Sequence, residues 1–450
     1  MKTKIAINGF GRIGRNAFKL AFERPDLEVV AVNDLTDTKT LAYLLKHDSN
    51  YGAYQHEVDF DDENIIVDGQ KIKVLAEKDP AALPWGTMGV EVVIESTGRF
   101  TKKEDAELHI KAGAKRVVIS GPSKSDGVDT IVLGANEDKL PSSTPVISNA
   151  SCTTNSLGAV MAVLDSTFGV EKSMLTTVHS YTASQALQDA PNKDVREGRN
   201  AAENIVPTTT GAAIAVTLTL PQLAGKFDGL SIRVPTQVVS LSDITVLLSK
   251  DVTVEEVNEA FKKAASEPFY QGILGVSEEP LVSSDYIGDS RSGIVDLLLT
   301  KVVGGNLVKV MVWYDNEWGY SNRLVELTAD VAKLLNGAGT AEQPAENSQP
   351  EVQPESRHEA QPEAAPDLLH EPEDPLLEPP HDPHPDEMGH GSLEHQHEEI
   401  AVAEPPPPYV STEVISSPSE PPIPTSESAD PGNQPPGNDT PPPQSGVSHF

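Results

Sequence analysis

The first 150 residues are predicted to form an α/β unit, a doubly wound and mostly parallel sheet flanked by helices, and residues 151–317 an α+β unit with an antiparallel sheet. Three observations carry this reading. A strand, a glycine turn, a helix and a second strand follow one another between Lys4 and Asp34. Strongly apolar strands then recur as far as Ser148 with a helical segment among them, the pattern of strands covered on both faces. Beyond Cys152, the only cysteine in 450 residues, strands alternate in polarity and are joined by short turns such as Gly304-Gly305.

Lys4 to Asn8 (KIAIN) is the first strand, and Gly9-Phe10-Gly11-Arg12-Ile13-Gly14 follows it as GxGxxG. Ala17, Phe18, Leu20, Ala21 and Phe22 give the next helix an apolar face, and Leu27 to Val32 returns as a strand that ends at Asp34. A glycine motif alone is weak; inside a complete βαβ unit closed by an acid it is a Rossmann-type dinucleotide fingerprint. Gly9 and Gly11 let backbone N–H groups approach a pyrophosphate, and Gly14 lets the helix pack closely. Asp34 accepts hydrogen bonds from ribose hydroxyls and repels a 2′-phosphate, which predicts NAD rather than NADP.

Further strands are expected at Val90 to Glu95, Arg116 to Ile119, Thr130 to Leu133 and Val146 to Ser148, with a helix from Lys103 to Ala112. Ser96-Thr97-Gly98 and Ser120-Gly121 lie at strand ends, where ligands of such sheets bind. A helix from Ser151 to Phe168 follows, then a strand from Lys172 to Ser180 that carries His179. The polar segment Tyr181 to Val206 is too long for a simple connector. A helix at Gly211 to Leu220, strands at Ser231 to Val234 and Val238 to Leu248, a helix at Val254 to Ser266, and strands near Gly293 to Leu299 and Lys301 to Val312 complete the second unit. A final helix from Trp318 to Leu335 is expected to pack back on the first.

Cys152 stands where a strand passes into a helix. Unpaired N–H groups and the partial positive charge there favour a thiolate, and His179 is the only histidine of the second unit and a candidate base. One cysteine cannot form an internal disulfide, so a reducing, cytoplasmic setting is expected. No run of 18 or more apolar residues occurs, so no membrane span is expected. Strong acidity argues against nucleic acid.

The net charge of -34 is concentrated: from Ala341 to Phe450 there are 23 acids against one arginine, and 25 of the 37 prolines. Residues 337–450 are therefore expected to be a disordered tail of unknown partner. His381, His384, His390, His395 and His397 cluster in it among acids, which leaves weak metal binding there as an alternative to a solvated segment; no metal site is expected elsewhere.

GFGRIGR at Gly9, ND at Asn33, ESTGRF at Glu95, ASCTTN at Ala150, TTVHSYT at Thr176, PTTTGAA at Pro207, RVPT at Arg233 and WYDNEWGYSNR at Trp313 together closely resemble phosphorylating glyceraldehyde-3-phosphate dehydrogenases. The resemblance runs from about Lys2 to Leu335. It implies oxidation of glyceraldehyde 3-phosphate to 1,3-bisphosphoglycerate with NAD and inorganic phosphate, and a homotetramer whose long loop packs across subunits. Cys152 is then the nucleophile and His179 the base. Gly9, Gly11, Arg12, Ile13, Gly14, Asp34, Lys78, Thr97, Ser120 and Asn316 are implied at the cofactor. Thr182 and Arg233 are implied at the substrate phosphate, and Ser151, Thr153, Thr210, Gly211 and Arg199 around the attacking phosphate. Glu197 stands where many bacterial members have an arginine, so Arg196 or Arg199 substitutes. Ser156 replaces a common second cysteine, and Lys78 a frequent arginine. Erythrose 4-phosphate is the alternative substrate. An interaction protein that recruits partners through the tail is the alternative class.

Overall fold

The computed structural model describes residues 2–123 and 125–337; the tail expected to be disordered, with its histidine cluster, lies outside the described residues. The first unit is a nine-stranded sheet. At its middle Thr3–Asn8 pairs in parallel with Leu27–Asn33 on one side and Val92–Glu95 on the other. Successive strands thus leave the central one in opposite directions, and the crevice at its carboxyl end is the switch point where such sheets bind ligands. Ile5, Ile7, Val92 and Ile94 are fully buried, as strands covered on both faces must be.

The sheet differs from the expectation at both edges. Asp129–Thr130 is all that remains of the strand expected at Thr130 to Leu133. Asn136 ends the ladder: its side chain accepts from Val132 N at 2.8 Å and donates to Thr130 O at 2.8 Å, so that Ile131 N, on Ser148 O at 2.9 Å, makes the last bond to the neighbouring strand. On the opposite side three strands that were not expected are added: Gln70–Leu75 runs parallel to Leu27–Asn33, and Asn64–Val67 and Val58–Phe60 follow antiparallel. Asp68 and Gly69, both at positive φ, make the two-residue turn between Asn64–Val67 and Gln70–Leu75 that such a hairpin prefers.

The second unit is an eight-stranded sheet. Most pairings are antiparallel, but Val170–Ser180 runs parallel to Phe227–Val234, and Leu274–Ser277 parallel to Gly293–Asp296. The first parallel pair sets His179 directly opposite Arg233. The helix Cys152–Phe168 packs against this sheet and the helices Ala212–Thr219 and Val254–Ser266, with Leu157, Val160, Met161 and Leu164 buried. The helix Trp318–Gly337 leaves the second sheet and packs on Arg12–Phe22 through a buried face that includes Leu324, Leu327 and Val331.

Candidate active site

Between the strand Val146–Ser148 and the helix Cys152–Phe168 the chain makes a constrained turn. Ala150 takes a positive φ of 54°, a conformation that costs a side-chain-bearing residue free energy and persists only when neighbours hold it. Here Tyr320 donates to Ala150 O at 3.0 Å, and Asn155 Nδ2 donates to Asn149 O at 2.7 Å and to Ser151 O at 3.0 Å. Ser151 caps the helix, its hydroxyl accepting from Thr154 N at 3.1 Å. Cys152 is therefore the first helical residue, with its own N–H left over by the helix.

Cys152 Sγ lies 3.4 Å from His179 Nε2. His179 is 5 % exposed and comes from the end of its strand, so sheet register and helix cap together bring the pair into contact. Nδ1 of the same ring is 2.7 Å from Ser180 O and 2.5 Å from Arg233 Nη1. These two contacts require opposite protonation. A proton on Nδ1 serves the carbonyl and leaves the Nε2 lone pair facing sulfur, the arrangement of a base; a proton on Nε2 points to sulfur and lets Nδ1 accept from the guanidinium.

Burial pushes the Cys152 thiol up, with Arg233 opposing. Burial, then the Arg233 charge, hold the His179 imidazolium down to about 3. Burial thus disfavours both charged forms of the pair, the thiolate and the imidazolium. Tyr314, which sequence reasoning did not single out, lies edge-on to the His179 ring and shares its hydroxyl with Thr153 Oγ1 at 2.9 Å and Thr177 Oγ1 at 2.8 Å. Its only sequence signal was its place inside the WYDNEWGY run, from which Asn316 alone was taken.

At the carboxyl ends of the first sheet lies a cleft of about 590 Å³ whose walls include Gly9, Gly11, Asp34, Lys78 and Thr97. It lies at the switch point of the sheet, where a dinucleotide binds in such folds. Gly9 has φ 91°, and a Cβ there would fall 2.7 Å from Thr97 N; one on Gly14 would fall 2.0 Å from Gly9 O, whereas Gly11 faces open space. Gly11 provides no side-chain cap, so the first N–H groups of the helix, those of Arg12 and Ile13, are available to an anion. The Arg12 side chain itself is engaged by Glu317 and Asp48. Asp34 is oriented by Phe10 N at 2.9 Å and Thr36 N at 3.1 Å. Ser120 and Asn316 are not among the cleft walls. Ser120 N bonds Glu95 O at the next strand end, and Asn316 accepts from Ser240, which in turn accepts from Ser180 N beside His179.

The residues expected to hold phosphate are less uniformly gathered. Arg233 is in place; Thr182 is half-buried with its hydroxyl 3.0 Å from Ser184 Oγ. Thr210 caps Ala212 N, and Gly211 precedes the helix Ala212–Thr219 without a side-chain cap. The Thr153 hydroxyl is turned inward to Tyr314, and its backbone N–H is directed at the Cys152 thiol. Arg199 is exposed and donates to Asp189 at 2.9 Å, so no contact joins it to Cys152 or His179. Among the described residues no cluster of three or more metal-ligating side chains occurs.

Comparison with known families agrees with this geometry. Residues 3–103 match the family model described as glyceraldehyde 3-phosphate dehydrogenase, NAD binding domain, and residues 151–316 that of the C-terminal domain. The chain is 56% identical over 333 residues to the glyceraldehyde-3-phosphate dehydrogenase of Geobacillus stearothermophilus, covering 74% of this chain and 99% of the relative. It is 56% identical over 334 residues to glyceraldehyde-3-phosphate dehydrogenase 1 of Bacillus subtilis and 55% identical over 333 residues to the Thermotoga maritima enzyme, covering 74% of this chain and 99% of the relative in each case.

Proposed function

The chain belongs to the glyceraldehyde-3-phosphate dehydrogenase family, and from that premise we propose that it oxidises glyceraldehyde 3-phosphate to 1,3-bisphosphoglycerate through a thioester on Cys152. The observation that carries the residue roles is the 3.4 Å contact of Cys152 Sγ with His179 Nε2 at a helix N-terminus, backed by Arg233. The enzyme is NAD-dependent; when bound, NAD supplies the hydride acceptor.

Cys152 Sγ forms a bond to the aldehyde carbon as the carbonyl π pair moves onto oxygen, and the thiol proton passes to His179 Nε2. The new oxyanion is held by the His179 Nε2–H and the Cys152 backbone N–H. As the C–H electron pair leaves, oxygen re-forms its double bond and a thioester remains on sulfur. A phosphate oxygen then bonds to that carbon, the C–S bond breaks and Cys152 leaves as thiolate. Arg233 ties the first step to the substrate. A dianionic phosphate on the guanidinium offsets the cation that, with burial, weakens the imidazole, so base strength rises when the aldehyde is in place. Thr182 completes that subsite, and the backbone at Ser151, Thr153, Thr210 and Gly211 receives the attacking phosphate, with Arg199 swinging from Asp189 to join it.

A homotetramer in the cytoplasm is part of the same reading. Supporting it, the loop from Tyr181 to Val206 exposes Leu187, Val195 and Ile205, and the adjoining sheet exposes Met174 and Leu230, apolar side chains that a partner subunit would cover. Among the described residues no helix is long and apolar enough to cross a membrane. The test is NAD reduction on glyceraldehyde 3-phosphate with and without inorganic phosphate, with erythrose 4-phosphate as the comparison, and light scattering for mass. Turnover that does not need phosphate, or that favours the four-carbon aldehyde, would overturn the assignment.

A further inference from the structure

Three neighbouring parallel strands end in Asn8, Asn33 and Glu95, and these last residues are cross-linked through their side chains. Glu95, 1 % exposed, is the centre. Its Oε2 accepts from Asn8 Nδ2 at 2.5 Å and from His109 Nε2 at 3.0 Å. Its Oε1 accepts from Thr97 N at 2.8 Å and from the Thr97 hydroxyl at 2.5 Å. Asn8 Oδ1 in turn accepts from Asn33 Nδ2 at 2.7 Å, and Asn33 holds the backbone of Glu77 in both directions, accepting from its N–H and donating to its carbonyl, each at 2.9 Å.

The donor directions are settled by one further contact. Trp85 Nε1 donates to His109 Nδ1 at 3.0 Å, so the single ring proton of a neutral His109 is on Nε2 and points at Glu95. His109 and Trp85 are both 0 % exposed and touch nothing that reacts. Asn8, Asn33, Glu77 and Thr97 all line the dinucleotide cleft, and Thr97 N is also the atom against which Gly9 is pressed.

We propose that Glu95 is a positioning residue for the cofactor: through Trp85 and His109 behind it and Asn8, Asn33 and Thr97 in front, it fixes the cleft wall that receives the adenosine and pyrophosphate of NAD. The proposal rests on the NAD-dependent reading above. A carboxylate is required because all four of its partners donate. A glutamine would turn an amide N–H₂ toward either Thr97 or the Asn8 and His109 pair, displacing one side of the wall.

The experiment is steady-state kinetics of the full chain with Glu95→Gln and Trp85→Phe, together with inhibition by ADP-ribose and a melting temperature for each. For Glu95→Gln the KM for NAD and the Ki for ADP-ribose should rise together by about tenfold, while kcat at saturating NAD and the KM for the aldehyde stay within about twofold. Trp85→Phe, which removes the donor to His109 together with part of a buried ring, should raise the KM for NAD by about threefold with the melting temperature as its control, and it decides the matter alone if Glu95→Gln does not fold. An unchanged KM for NAD, or losses in kcat and both KM values that follow the melting temperature, would overturn the proposal while leaving the family reading intact. A wild type that does not bind NAD would end both.

Discussion

Asp34→Asn tests how the cleft chooses its cofactor. The wild-type carboxylate cannot rotate away from a ligand, because Phe10 N and Thr36 N hold its two oxygens. A 2′-phosphate placed ~4 Å from it costs ~4 kcal/mol per unit of charge at an effective dielectric of ~20. Solvent at this half-buried site reduces that to ~2–4 kcal/mol, a discrimination of roughly 30- to 1000-fold against NADP. Asparagine removes the charge but keeps one acceptor oxygen for Phe10 N, at a local cost of ~1 kcal/mol because Thr36 N no longer has an acceptor. The expected result is a shift of ~100-fold in the ratio of kcat/KM for NADP to that for NAD, with NAD itself losing ~10-fold. Steady-state kinetics with both cofactors measures it. A ratio that moves less than about threefold would refute the electrostatic account of selectivity.

Three other outcomes follow from the site. His179→Gln should slow acylation by ~10²–10⁴-fold while leaving NAD affinity within about twofold, read by rapid-mixing absorbance and calorimetry. The same variant tests the buried imidazole. His179 is held down to about 3 from 6.5, so the unfolded chain takes the proton first. Its contribution is complete above pH ~6.5 and falls by at most ~1.4 kcal/mol per pH unit on acidification toward ~3, so the wild-type advantage over the variant in urea denaturation should shrink over that window. Tyr314→Phe strands two buried threonine hydroxyls and should lower the midpoint of denaturation by an amount equivalent to ~1–3 kcal/mol, together with slower alkylation of Cys152 by iodoacetamide.

What could be read from the sequence was local chemistry. Gly9 to Gly14 and the turn before Cys152 are legible from their own residue types, although Thr97 and Tyr320, distant along the chain, help to hold them. Partners distant along the chain were not visible. Glu95 meets Asn8 across 87 positions, and Thr153 meets Tyr314 across 161; no periodicity reports such pairings. Strand direction is equally silent, because alternation in Val170–Ser180 looks the same whether Phe227–Val234 runs with it or against it. Two edges failed for different reasons. Ile131 to Leu133 is apolar enough for a strand, but the Asn136 side chain takes Val132 N and Thr130 O and ends the ladder at Ile131. The Asp68-Gly69 hairpin had a readable signal in its turn dipeptide, flanked by two short strands of only four and six residues. Arg199, expected from sequence at a phosphate, pairs with Asp189 ten residues before it.

The central claim is that oxidation occurs on Cys152 sulfur with His179 taking the proton. Mixing enzyme, NAD and glyceraldehyde 3-phosphate without inorganic phosphate isolates that half of the reaction. The wild type should release a stoichiometric burst of NADH and gain one phosphoglyceroyl group, located at Cys152 by peptide mass spectrometry. Cys152→Ser should bind NAD as before and give neither signal. A burst from the serine variant, or an acyl group on another residue, would contradict the account.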